Sequence, residues 1–397
     1  MEVTASQRLK WRRRAARTLA VVALAIVGYL VLAPTGRYLL RAAWEEGKIL
    51  SRRRPIVQLV ADSTTSPELR AKLALVLAAR EYAHDSLGLE TGQSFTTYSR
   101  LDRDTLVLVL SGAYRDKLRA RTWWFPVVGR VPYKGYFDFG AARAAERALT
   151  AEGFDARLGA ASAFSTLGWF NDPLLPTTLR ADSLSVANTV IHELTHNTFY
   201  APGGAVFNES FANFVGARGA ERFFRSRGQA VAAQTVVDRW EDEKVIGRFW
   251  ASLYARVDSA FKRLPGEEPA RVAERIAVRD SIYARARTLL HDSVGPQLRT
   301  MKVGPVQRIR IDNAVLMARR VYLTNLDSFD AVLARHGGDL RATIKAIIDA
   351  AKEDRKHPFD TVRALAHEAV ALDSVPRDTA PRDSARRESA RRDSAAR

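Results

Sequence analysis

The stretch Val190-Ile191-His192-Glu193-Leu194-Thr195-His196 carries two imidazoles four residues apart, with a carboxylate beside the first. Leu184, Ala187, Ile191 and Leu194 recur at helical spacing, so one helix is predicted here. On it His192 and His196 project from one face, a turn apart. Two neutral nitrogens so arranged suit a tetrahedral zinc ion, and a third protein ligand would leave one position for water. Glu193 stands where its carboxylate can reach that water as general base. Histidine is scarce, seven in 397 residues, so this pattern rarely arises by accident.

A third ligand follows in the chain. Pro202-Gly203-Gly204 is a helix stop and turn. A second helical pattern then opens at Asn208, with Phe207, Phe211, Phe214 and Val215 along one side. Asn208 is the expected N-cap and Glu209 falls in the first turn. So short a reversal packs two helices antiparallel and returns Glu209 over the histidines. The expected ligand set is His192, His196 and Glu209 on one zinc ion, with Asn213, a turn beyond Glu209, orienting a ligand from behind. The competing structural account is a hydrogen-bonded histidine pair and a helix-start carboxylate favoured by the dipole.

With these residues in view, the chain resembles the bacterial cell-envelope family of predicted zinc aminopeptidases, many of them lipoproteins. The likeness extends to the segment from Trp123 to Phe137, to Ser165-Thr166-Leu167-Gly168-Trp169-Phe170 with Asp172-Pro173-Leu174-Leu175 after it, and to Phe207-Asn208-Glu209-Ser210-Phe211-Ala212. It covers roughly residues 45 to 225 and weakens towards residue 350, where Asn313 and Tyr322 resemble recurrent positions. The resemblance implies a gluzincin-like HExxH metallopeptidase. Thr195 and Asn197 stand where the family usually has alanine and glutamine, and Gly203-Gly204 replaces an acidic loop residue. The absence of cysteine removes the lipid anchor of many relatives. No residue declares itself as the group that captures a free α-amine.

These residues must be carried by a frame. A chain with 47% hydrophobic and 27% charged residues is ordinary globular composition, long enough for a large core. A formal charge of +18 suits anionic lipid headgroups or nucleic acid. No nucleic-acid module is recognisable, so a membrane is the expected partner. Without cysteine there are no disulfides, thiolate metal sites or cysteine nucleophiles.

Arg8, Lys10, Arg12, Arg13, Arg14 and Arg17 precede an uncharged run from Thr18 to Ala33. A cleaved signal peptide would have the same shape. Pro34 after Ala33 disfavours cleavage, and an uncleaved signal anchor is expected, with the catalytic domain extracytoplasmic. Helices are expected at 67–87, 140–152, 228–263, 268–292, 305–324 and 339–353, and strands at 105–110 and 154–163. The fold class is α+β and zincin-like, helix-rich, with a small sheet beside the HExxH helix. The divisions are residues 1–34 as basic terminus and anchor, 35–225 as the metal-bearing half, 226–372 as a helical half of the same unit, and 373–397 as a disordered charged tail.

Substrate or oxyanion contacts are assigned as candidates to Tyr133, Tyr136, Ser165 and Tyr322, though core packing is the simpler account of each tyrosine. Together these readings describe a membrane-anchored zinc peptidase, expected to be an aminopeptidase, acting on peptides. The rival is a metal-binding envelope scaffold or chaperone without activity.

Overall fold

The apolar run behind the basic cluster becomes α1 (Ala5–Leu32), in which Arg14–Leu32 has a mean hydropathy of 2.1 and is not buried in the protein. The computed structural model describes residues 5–101, 107–125, 129–160, 173–301, 304, 308 and 310–373. Among these, α1 is the one helix long and apolar enough to cross a membrane. Ala33, extended at ψ 137°, and Pro34 end it and open α2 (Pro34–Ser51). A short strand β1 (Arg53–Pro55), α3 (Ile56–Ala61), α4 (Pro67–Asp85) and β2 (Thr97–Ser99) follow, with β1 antiparallel to β2. Ser66 caps α4 by accepting from the Leu69 amide, with Pro67 at the first helical position, where its missing N–H costs nothing.

Next come β3 (Leu108–Tyr114), β4 (Trp123–Phe125), β5 (Gly129–Val131), β6 (Tyr133–Tyr136), α5 (Phe139–Ala151) and β7 (Phe154–Ala160). β4 and β5 form a hairpin of their own, and the main sheet is antiparallel in the order β6-β3-β7. Ser111 of β3 stands opposite Tyr133 on one side and Arg157 on the other. Since side chains alternate, these three share one face, with Asp155 two residues from Arg157 on that face. The opposite face carries Leu110, Tyr136 and Leu158 and is covered by Ala145 and Leu149 of α5.

Beyond α6 (Pro176–Leu179), Asp182 caps α7 (Ser183–Thr198), its carboxylate accepting from the Ser185 amide at 2.9 Å. Val186, Val190, Ile191 and Leu194 on α7 are fully buried, against Leu73 and Val76 of α4 on one side and α8 (Ala205–Ser226) on the other. Burying each such side chain contributes about 1.5–3 kcal/mol. α8 begins a turn earlier than the sequence suggests. Its N-cap is Gly204, and Asn208 lies inside the helix. The Asn208 amide instead clamps the reversal, accepting from Ala201 N and donating to Ala201 O at 2.9 Å each. Gly203, at φ +77°, supplies the left-handed turn that a β-carbon would strain. Phe207, Phe211 and Phe214 then stack around Phe329, with centroid separations of 6.1, 5.9 and 5.4 Å.

The chain continues as α9 (Ala230–Lys262) and α10 (Pro269–Leu289), the latter running into a π-helical turn at Leu290–Val294. α11 (Asn313–Tyr322), α12 (Leu326–Arg335), α13 (Leu340–Glu353) and α14 (Pro358–Asp373) complete the described chain. Of the helix expected over 305–324, Asn313–Tyr322 is α11, and residues 305–307 and 309 lie outside the described residues. α12 and α14 were not anticipated. α12 follows Asn325, whose left-handed φ of 55° breaks the helical pattern just before it. A second core joins Phe249, Trp250 and Leu253 of α9 to Tyr283 of α10 and Leu316 of α11. The result is helix-rich with small sheets. The expected charged tail falls outside the described residues.

Candidate metal centre

α11 lies along the Ser111 face of the sheet and is fixed at its first residue by buried polar groups. The Asn313 amide N donates to Asp155 Oδ2 at 2.9 Å, and its side chain donates to Tyr114 O at 2.7 Å and accepts from the Tyr283 hydroxyl. Arg279 Nη1 reaches the same Asp155 oxygen at 2.8 Å. The far end of α11 is tied to α8, because Asn213 Nδ2 donates to Tyr322 O at 3.0 Å. Asn213 thus holds the tyrosine-bearing helix end through its amide nitrogen.

Across the α7–α8 interface, the structure brings His192, His196 and Glu209 together. Nε2 of His192 and Nε2 of His196 are 3.3 Å apart, and they lie 3.3 and 3.6 Å from the Glu209 carboxylate oxygens. Donors about 2.0–2.1 Å from a tetrahedral ion stand roughly 3.3–3.4 Å from one another. This set therefore fits zinc in both donor chemistry and spacing, and it is the one such cluster among the described residues. The Nδ1 of His196 is buried without a partner among the described residues, so the acceptor that usually steadies a liganding ring is not supplied there.

Close approach of α7 and α8 at this level depends on Gly216. A β-carbon there would meet Asn188 Oδ1 at 2.5 Å, Asn188 O at 3.0 Å and His192 Cβ at 3.2 Å.

The electrostatics suit a cation. Burial opposes ionisation of Glu209, but hydrogen bonds from His192 and His196 outweigh it and hold its pKa at about 2. Burial likewise works against charged His196, yet Glu209, with Glu193 behind it, raises its pKa above the ordinary value. Tyr322 feels burial first and then the charges of Glu209 and Glu193, which push it up to about 12, although 46% of its surface remains open. It is therefore a proton donor at neutral pH.

Tyr133, 49% exposed, and Arg157 also act on Tyr322. Tyr136 belongs to the opposite face, packed with Leu110 and Leu149. Three residues along a strand from Tyr133, it must point the other way, so its expected site role is withdrawn. Ser165 lies outside the described residues. Tyr200, 58% exposed with its ring 6.5 Å from His196, and Arg157 were missed by sequence reasoning. Helical spacing of four after His196 hinted at Tyr200, whereas Arg157 needs the strand register. A hollow of about 360 Å³ at the C-terminal end of α4, lined by His84, Asp85, Glu90 and Arg341, holds no three-ligand cluster.

Residues 37–359 match the family described as "putative aminopeptidase". The chain belongs to that family. The match spans α2 to the start of α14, so it contains the sheet, the metal cluster and α11 within one family unit and supports a peptidase-like function. No curated protein and no solved structure matches the chain significantly.

Proposed function

We propose that this member of the aminopeptidase family is a zinc-dependent, zincin-like peptidase anchored to a membrane by α1. The observation that carries the reading is the gathering of His192 Nε2, His196 Nε2 and the two Glu209 carboxylate oxygens at separations of 3.3–3.6 Å, with Glu193 adjacent in sequence to the first ligand. When bound, zinc would polarise the scissile carbonyl and acidify a water molecule. His192, His196 and Glu209 hold it from one side. Glu193 takes the proton of the attacking water and delivers it to the leaving amine nitrogen. Tyr322, kept protonated by the nearby carboxylates, donates to the oxygen that gains charge as the carbonyl becomes tetrahedral. Tyr133 and Tyr200 offer exposed rings for substrate contact.

The basic cluster in the first turns of α1 favours a cytoplasmic N-terminus and an extracytoplasmic catalytic body. Arg37, just beyond the span, suits anionic headgroups.

The test uses full-length protein in detergent. Glu193→Gln should retain one zinc per chain and lose hydrolysis, His196→Ala should lose both, and a chelator should silence the wild type. Peptide cleavage persisting in Glu193→Gln, or native protein devoid of transition metal, ends this reading.

A further inference from the structure

Most arginines of the folded body that approach an acid are paired with it: Arg218 with Asp330, Arg239 with Asp182, Arg275 with Asp116 and Arg279 with Asp155. Two near Tyr322 are not. Arg157 on β7 and Arg319 on α11 make no ion pair and no hydrogen bond with any described residue. Arg319 lies three residues before Tyr322, so both side chains occupy neighbouring positions on one helix face. Arg157 shares the sheet face on which α11 rests, in register with Ser111 and Tyr133. The Arg157 guanidinium folds back over Gly159, where a β-carbon would come within 3.1 Å of Nη1. The missing side chain leaves the fork a seat on the strand.

Arg319 is on the helix that rests on the strand bearing Arg157. Crowding by surrounding protein lowers the pKa of Arg319, and the like charge of Arg157 lowers it further, even though the side chain keeps more than a third of its surface open. Arg157 in turn acts on Tyr322, which also feels Glu209 and Glu193. Two guanidinium groups that act on each other, one of them also on Tyr322, and neither engaged by an acid among the described residues, form a receptor for an anion.

We infer that Arg157 and Arg319 bind a carboxylate of the peptide substrate, an inference that rests on the peptidase reading of the same site. Two parts of a peptide carry that group: an acidic side chain beside the scissile bond, and the free C-terminus of a short peptide.

Full-length zinc-loaded protein is assayed on matched short peptides: neutral with a free C-terminus, neutral and amidated, and amidated with glutamate on either side of the scissile bond. A charge-assisted pair supports a preference of roughly tenfold or more in kcat/KM for the carboxylate-bearing peptides, carried mainly by KM. Preference for the free C-terminus identifies one source, and preference for amidated glutamate peptides the other. Arg157→Gln and Arg319→Gln should each collapse the ratio towards one, and Arg319→Glu should invert it towards lysine-bearing peptides. Arg320→Gln, whose guanidinium stacks on Tyr254 at 4.0 Å, should keep it.

Calorimetric binding of the same peptides to Glu193→Gln separates this inference from the peptidase reading. Carboxylate-dependent binding lost on Arg157→Gln, without wild-type hydrolysis, would overturn only the latter. Equal binding of carboxylate and amide peptides, or a preference surviving in the Arg157→Gln/Arg319→Gln double variant, overturns the inference.

Discussion

Replacing Gly216 with alanine should loosen the metal centre without touching a ligand. The added β-carbon would stand 2.5 Å from Asn188 Oδ1, which can rotate away, and 3.0 Å from the Asn188 carbonyl, which cannot. Restoring an ordinary 3.4 Å contact to that carbonyl requires α8 to retreat from α7, so Glu209 withdraws from His192 and His196. The retreat is about 0.4 Å, roughly twice the 0.2 Å that ligand distances at a well-formed zinc site tolerate. Overpacking of this kind costs about 1–3 kcal/mol, or on the order of tenfold or more in zinc affinity if the strain falls on the site.

Gly219 provides the control. A β-carbon there meets methyl groups of Ile191 and Leu87 at 2.9 Å, a turn farther along α8. Gly219→Ala should therefore cost comparable stability and change zinc affinity by less than about threefold. Competition against a chromophoric chelator reads affinity, and thermal unfolding with and without zinc reads stability. Wild-type affinity in Gly216→Ala, or an equal loss in Gly219→Ala, would refute the argument that helix spacing at Gly216 sets ligand spacing.

Two further outcomes follow from buried groups. Tyr322→Phe should lower kcat on the order of a hundredfold while leaving zinc content and KM near wild type, and a kcat within threefold would remove the tyrosine from the oxyanion role. Glu243 on α9 is raised to about 7 by burial, with Asp242 adding like charge, and no described residue donates a hydrogen bond to it. Its unfolded counterpart titrates near 4.5, so between those values the unfolded chain holds fewer protons and stability falls as pH rises. Glu243→Gln removes that penalty and should stabilise the protein at pH 8 by an amount on the order of 3 kcal/mol, with little effect at pH 4. An equal change in melting temperature at both pH values would contradict this.

The metal cluster was legible because its spacing is local. His192 and His196 need only a helix, and Glu209 needs only one tight reversal. The reversal itself was misjudged, since Asn208 has the composition of an N-cap but spends both amide atoms on Ala201, and Gly204 leaves no signature of its own. Tyr133 and Tyr136 are equivalent in sequence. Only the pairing of Ser111 with Tyr133, and of Leu108 with Tyr136, decides which one shares a face with Arg157. Asn213 illustrates a related limit, because its partner, Tyr322 O, is 109 residues away. Apolar periodicity located most helices but could not say that α11 would lie along the sheet.

That placement makes α11 a lever. Its buried end is held by Asp155, Tyr283 and Arg279, and its working end lies about 13 Å away, nine residues of helical rise. A lesion at Asp155 or Tyr283 would leave His192, His196 and Glu209 untouched yet swing the tyrosine hydroxyl out of aim. Such variants would be soluble, metal-replete and slow, and a survey of damaging substitutions would misfile them as defects of chemistry when the fault is a slipped hinge pin at the opposite end of the helix.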